Sequence, residues 1–277
     1  MKMSRAGFID WPDKVITLMG MSGVGKTTLA SLLPREEWFH YSADYRIGTR
    51  YLKEPILDNI KVQAMEQPFL RDLVLSDSLS FRCNITFQHL KPVACFLGKI
   101  GDPELGGISI EEFKRRQRLH RQAEIAATND VGEFISKAKN LYGRNHFLND
   151  TGGSICELTD EEAWNALSEH SLIIYLKADT AMEKVMIERA QADPKPLYYD
   201  EDFLDRHIAE FLKINGLTSS DEMNPDEYVQ WVFPHLIKHR RPLYERIAGK
   251  YGYTVDANRV LEVKTEQDVL SLISEAL

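Results

Sequence analysis

Gly20-Met21-Ser22-Gly23-Val24-Gly25-Lys26-Thr27 decides how the rest of the chain is read. Its pattern is G-x-x-x-x-G-K-[ST], which has physical meaning only between a strand and a helix. Both are predicted here. Val15-Ile16-Thr17-Leu18-Met19 is a short apolar run rich in β-branched residues. Lys26 to Leu33 places Leu29, Ala30, Leu32 and Leu33 on a buried side until Pro34 stops the helix. Glycines let successive N–H groups turn inward around a phosphate, and the helix N-terminus adds partial positive charge. Lys26 is then placed to reach the β- and γ-phosphates and the Thr27 hydroxyl to ligate Mg²⁺. Gly20 to Thr28 are expected to hold a nucleoside triphosphate, read as ATP although the loop leaves GTP open.

Composition bounds what surrounds this loop. The chain has 277 residues, 43% hydrophobic and 27% charged, enough for one large α/β domain or a domain carrying an insert. A formal net charge of −8 argues against a dedicated nucleic-acid binder, because the field of the whole molecule repels polyanions. There is no run of the roughly 18 apolar residues that a membrane-spanning helix needs. Met1 to Gly7 lacks a hydrophobic signal core, so a cytoplasmic protein is expected. Cys83, Cys95 and Cys156 are odd in number and lack C-x-x-C spacing, which predicts three reduced, half-buried thiols. The eight histidines suggest no metal site beyond nucleotide-bound Mg²⁺.

Short apolar runs alternate with helical segments, which predicts a parallel sheet of about five strands flanked by helices. Besides the first strand, Trp38 to Ser42, His146 to Asp150, Leu172 to Leu176 and Tyr253 to Asp256 read as strands. Helices are expected from about Ala181 to Ala192, ended by Asp193-Pro194-Lys195-Pro196, and from Thr265 to Ala276. Thr159-Asp160-Glu161-Glu162 has capping-box form and should open another. Roughly a hundred residues separate the second and third strands, against ~2–6 loop residues around one helix in an ordinary connection. Residues 55–145 are therefore expected to be a mostly helical insert, with residues 1–54 and 146–277 forming the core. Within the insert, Ser109-Ile110-Glu111-Glu112 should cap a helix running toward Ala127, and a second is expected near Val131 to Tyr142.

With those elements placed, the chain resembles the shikimate kinase branch of the P-loop small-molecule kinases. The resemblance lies in Asp44 after the second strand, Ile47-Gly48 and Arg50 beyond it, and Thr151-Gly152-Gly153 after the third. It continues in Tyr175-Leu176-Lys177-Ala178-Asp179, Glu188-Arg189 and Lys195-Pro196-Leu197, and ends in Arg240-Arg241-Pro242-Leu243-Tyr244. It covers about the first fifty and the last hundred and thirty residues, and not the segment from Pro55 to Asn145. It implies a kinase fold in which Asp44 orients the acceptor hydroxyl or acts as base. Arg46, Arg50, Gly152, Gly153 and Arg240 would line the acceptor side, with Arg240 meeting an anionic group. Arg189 and Lys195 would belong to a mobile lid over the nucleotide. The sequence departs from the branch at Ser42, where an acidic residue is frequent, at Lys195, where arginine is usual, and at Asp150, where a small residue is usual.

Each of these residues also has a plainer reading. Asp44 is a common strand-end turn former, yet it stands at the strand edge where ligands bind in open α/β sheets. Asp150 is either an acid holding Mg²⁺ through water or a cap for the next turn. Arg189 and Lys195 either stabilise charge on the transferring phosphoryl or complement a helix end. The basic run Phe113-Lys114-Arg115-Arg116-Gln117-Arg118-Leu119-His120-Arg121 reads as a solvated helix face, with Glu111, Glu112 and Glu124 as counter-charges. The expected activity is ATP- and Mg²⁺-dependent phosphoryl transfer to a small hydroxylated or anionic acceptor. Lys26, Asp44 and Arg189 would be catalytic. The alternative is a P-loop ATPase or regulator whose insert binds a protein or nucleic acid, the less favoured partners.

Overall fold

The computed structural model describes every residue except Thr159 and Asp160 and the side chain of Glu162. The capping box expected at Thr159 to Glu162 thus lies outside the described residues, and the helix behind it runs Glu161–His170. By contact the chain divides into two units. One comprises 1–43, 124–194 and 229–277, and the other 44–123 and 195–228. Neither matches the expected core of 1–54 and 146–277. The second unit begins at Asp44 and takes in a downstream segment, while 124–145 goes with the sheet.

The first unit is built on five parallel strands: β1 (Val15–Met19), β2 (Trp38–Ser42), β3 (His146–Asp150), β4 (Leu172–Lys177) and β5 (Gly252–Asp256). Their order is β2-β3-β1-β4-β5. Every strand predicted from the sequence is present to within a residue at either end. The order follows from apolar content. Central β1 is buried throughout and β4 in all but Lys177, because helices cover both faces of a parallel sheet, whereas edge strand β2 keeps half-buried positions and edge strand β5 exposed ones. Register aligns the C-terminal ends: Leu18 pairs with Asp150, and Asp150 with Ser42. Loops leaving those ends share one edge, where ligands bind in open α/β sheets. A glycine phosphate loop between the central strand and its helix, on a sheet of this order, is the P-loop NTPase fold.

Helices complete the unit as their caps dictate. Asp179 accepts from Met182 N–H (2.8 Å) and opens Thr180–Ala192. Thr265 and Asp268 form a reciprocal capping box that opens Glu266–Glu275. The loop helix is shorter than expected, Lys26–Ser31.

The second unit holds Lys53–Met65, Pro68–Leu75, Lys91–Leu97, most of Ile110–Asn129 and Glu201–Asn215. Its extended segment after Lys195 is pinned by one amide. Gln117 Oε1 accepts from Tyr199 N–H (2.9 Å), and Gln117 Nε2 donates to the Leu197 carbonyl (3.3 Å). Ion pairs extend the pinning: Lys114 to Asp205 (2.7 Å), Arg118 to Glu201 (3.2 Å) and Arg121 to Asp200 (3.5 Å). The basic run is thus neutralised largely by acids some eighty residues downstream in sequence, alongside Glu112. Glu124, expected as a surface counter-charge, is instead buried in the first unit.

Glu112 is the stronger local partner. Its carboxylate accepts from Arg115 Nε (2.7 Å) and Arg116 Nε (2.6 Å), and Arg116 also donates to the Phe96 carbonyl and to Asn59. The Arg115 hydrogen bond holds the Glu112 pKa down to about 2 against the opposing effect of burial, with Arg116 adding to the depression. A carboxylate depressed in the folded state contributes stability above its unfolded pKa and loses it as pH falls. Urea midpoints of the native chain should therefore fall as pH drops from about 4.5 to 2, beyond the fall seen in Glu112→Gln. Parallel profiles for the two proteins would remove Glu112 from this acid sensitivity.

Candidate functional site

In the first unit the site grows from the end of β1. Met21 and Val24 are buried and anchor the loop, while Ser22 and Gly23 face outward. Gly25, at φ 100°, caps the following helix without a side chain. The N–H groups of Gly23, Gly25 and Thr27 make no hydrogen bond among the described residues. Inward N–H donors beside a helix N-terminus form an anion cradle. Lys26 folds back over it, its ammonium donating to the carbonyls of Gly20 (2.7 Å) and Met21 (3.2 Å), and it is 7% exposed. The charge is thereby held in place and shielded from water.

Thr27 and Asp150 meet across the ends of β1 and β3. The Thr27 hydroxyl donates to Asp150 Oδ2 at 3.0 Å. Burial raises the Asp150 pKa, and Lys26 and the Thr27 hydrogen bond partly offset that rise. A hydroxyl and a carboxylate sharing one point supply hard oxygen donors, the set that Mg²⁺ takes when nucleotide phosphates complete its shell. Asp150 is in direct contact with the P-loop threonine. Thr28, the last loop residue named from the sequence, is exposed, and its carbonyl accepts from Ser31 (2.7 Å).

Gly152 and Gly153 follow Asp150, and Gly153 lies close against the loop. A Cβ there would stand 3.1 Å from Ser22 N, so a side chain would press the loop backbone back by a few tenths of an ångström. What holds this turn was not legible. Arg240 donates Nε to Glu157 Oε1 (2.9 Å), Nη2 to Glu157 Oε2 (3.2 Å) and Nη1 to the Gly153 carbonyl (2.9 Å), and Tyr244 adds a bond to that carbonyl (2.9 Å). Arg240 and Glu157 are 4% and 5% exposed. Arg240, expected to meet the acceptor's anionic group, is here the buried brace of the glycine turn. Its partner Glu157 carries no motif of its own. Glu124, on Ile110–Asn129, brings a second buried carboxylate to this segment, accepting from the Ser154 hydroxyl (2.9 Å). Cys156 beside them is fully buried, and burial pushes its thiol pKa up, so of the three expected half-buried cysteines only Cys83 fits that description.

Arg189 is exposed near the end of Thr180–Ala192, and its side chain makes no hydrogen bond or ion pair among the described residues. His235 and His239 stand four apart on Pro225–Tyr251, a spacing passed over in the sequence. His235 Nδ1 engages the Trp231 carbonyl (3.0 Å), and His239 Nε2 lies 3.7 Å from Glu157.

The remaining predicted residues belong to the second unit. Asp44 and Arg46 lie half-buried in the short helix Ala43–Arg46, and Arg46 lies over the Tyr51 ring at 5.6 Å. Arg50 is exposed in the π-helical turn Ile47–Tyr51, a geometry frequent at functional sites. Lys195, also exposed, opens the unit's downstream segment. The structure therefore gathers Lys26, Thr27, Asp150, Gly152 and Gly153 in one unit and Asp44, Arg46, Arg50 and Lys195 in the other.

No family model matches the chain, and neither does any curated protein. Among solved structures, a shikimate kinase from Bacteroides thetaiotaomicron is 15% identical, with 95% of each chain covered and a TM-score of 0.42. A shikimate kinase from Acinetobacter baumannii, in complex with shikimate, is 16% identical, covering 93% of this chain and 95% of its own, with a TM-score of 0.39. A third, from Aquifex aeolicus, is 16% identical over 81% and 97%, with a TM-score of 0.25. Likeness at this level carries no inference about activity. The fold assignment rests on strand order and the glycine loop. No described helix is long and apolar enough to cross a membrane.

Proposed function

We propose that the chain is an ATP-dependent phosphotransferase that moves the γ-phosphoryl to a small hydroxylated or anionic acceptor. The observation that carries this is the Thr27–Asp150 contact beside a buried Lys26 and loop N–H groups that make no hydrogen bond among the described residues. Lys26 and Arg189 would stabilise charge on the transferring group, and Thr27 and Asp150 would hold Mg²⁺. When bound, Mg²⁺ neutralises charge on the β- and γ-oxygens. Asp44 would orient the acceptor hydroxyl, with Arg46 and Arg50 beside it. Gly152 and Gly153 would shape the turn, and the second unit would set specificity. Lys195 would close over the nucleotide. The reading of a regulator that grips a polyanion loses support because Lys114, Arg118 and Arg121 already pair with acids of their own unit.

The test is a metabolite-pool screen for ATP- and Mg²⁺-dependent phosphorylation, followed by Asp44→Asn. Removing the acceptor-side carboxylate should reduce transfer by about 10²-fold and leave nucleotide affinity unchanged. Weakened nucleotide binding with unchanged transfer per bound nucleotide would reverse the assignment of Asp44. Hydrolysis without any phosphorylated acceptor would replace the kinase reading by an ATPase.

A further inference from the structure

The second unit contains a cavity of about 640 Å³ that borders the π-helical turn carrying Arg50 but is lined by none of the site residues named above. One wall is the π-helical turn and the helix after it, contributing Thr49, Lys53 and Leu57. The other is irregular chain, contributing Phe81, Arg82, Cys83 and Ile85. Volumes of roughly 300–1,000 Å³ are usual for small-molecule sites.

The lining separates by chemistry. Lys53 and Arg82 are exposed cations, and neither side chain makes an ion pair or hydrogen bond among the described residues. Lys114, Arg116, Arg118 and Arg121 of the same unit are by contrast all paired, so their charge is already answered within the protein. The acids next to Lys53 in sequence do not line the cavity, and Asp58 pairs with Lys61 at 3.3 Å. Leu57, Phe81 and Ile85, all half-buried, supply an apolar floor. The Thr49 hydroxyl donates to the Tyr45 carbonyl (2.7 Å), so its oxygen is left to accept. Two cations without protein partners over an apolar floor, in a chain of net charge −8, form a local trap for a negative charge carried on an apolar body.

We propose that this cavity binds a small organic anion, its carboxylate or phosphate held by Lys53 and Arg82 and its apolar part seated on Leu57, Phe81 and Ile85. The proposal is independent of the phosphotransferase reading. It requires no nucleotide and shares no residue with the phosphate loop.

Cys83 in the wall provides the reporter, exposed Cys95 the internal control, and buried Cys156 stays silent. Alkylation would be followed at each cysteine by peptide mass spectrometry, using iodoacetate and iodoacetamide in turn. Dividing one rate by the other cancels the thiol's own ionisation and leaves attraction of the anionic reagent. At low salt the iodoacetate-to-iodoacetamide ratio at Cys83 should exceed that at Cys95 several-fold. It should fall to the Cys95 value in the Lys53→Ala/Arg82→Ala double variant. Millimolar phenyl phosphate should slow iodoacetamide at Cys83 several-fold in the native chain and not in the double variant, whereas neutral benzyl alcohol should not slow it. Both substituted side chains are exposed, so circular dichroism and Tm should not change. A native ratio equal to that of Cys95 would overturn the proposal. So would an absence of protection, protection by benzyl alcohol as well, or protection that survives in the double variant.

Discussion

Replacing Lys26 by alanine will cut triphosphate turnover on the order of 10³-fold and leave the fold in place. This side chain does one thing for the protein and another for a ligand. Within the protein its ammonium donates to the Gly20 and Met21 carbonyls of the loop itself and lies in the field of Asp150. Its loss removes a buried aliphatic stem and also the cost of desolvating an ammonium, two opposing contributions, so unfolding midpoints should move little beside the effect on rate. Toward a triphosphate it is a positive charge already desolvated and already aimed, which requires little reorganisation as charge develops on the transferring phosphoryl. Turnover of ATP with Mg²⁺, measured beside equilibrium binding of a non-hydrolysable analogue, separates a lost rate from a lost ligand. Turnover within tenfold of the native value would take the loop out of the mechanism.

The sheet and the loop were legible because they are written locally. Val15–Met19 and Leu172–Lys177 are apolar runs of strand length, and a glycine before a lysine at a strand end leaves one reading. The helix Ile110–Asn129 shows where local reading stops. Its buried positions include Arg116, Gln117, His120, Glu124 and Thr128, spaced as a core stripe yet polar in composition. Helical periodicity assigns the apolar face to the interior, so these residues read as solvent-facing. What buries them is distant in sequence: Gln117 is taken up by Leu197 and Tyr199, and Glu124 by Ser154. The same physics hid the extent of the second unit. Nothing in the composition of 195–228 sets it apart, and what ties it to the unit reaches back about eighty residues: an amide, ion pairs and buried aromatics such as Tyr199 against Phe113. Polar residues at core spacing were the available signal.

Arg240 and Glu157 illustrate that lesson in one pair, and they carry the largest expected effect on stability. Both are almost completely buried, and the guanidinium meets the carboxylate through two parallel hydrogen bonds. Burial disfavours the charged guanidinium, and the carboxylate more than offsets it, so the Arg240 pKa is raised rather than lowered. Removing one partner leaves the other charged in a place that cannot solvate it, a loss of about 3–5 kcal/mol. Arg240→Met and Glu157→Leu should each show that loss in urea unfolding. The double variant should recover much of it, because no uncompensated charge remains and the two apolar side chains can pack together. It should not recover everything, since the Gly153 carbonyl keeps Tyr244 but loses the guanidinium. An acceptor-binding Arg240 predicts a different pattern. In that case Arg240→Lys would raise KM for an anionic acceptor and leave stability near native, and the double variant would be no more stable than Arg240→Met alone. A buried brace predicts the reverse: a stability loss shared by both single variants, relief in the double variant, and an acceptor KM that follows the folded fraction. Stability and KM measured across these four variants decide between a residue that meets the acceptor and one that holds the glycine turn against the phosphate loop.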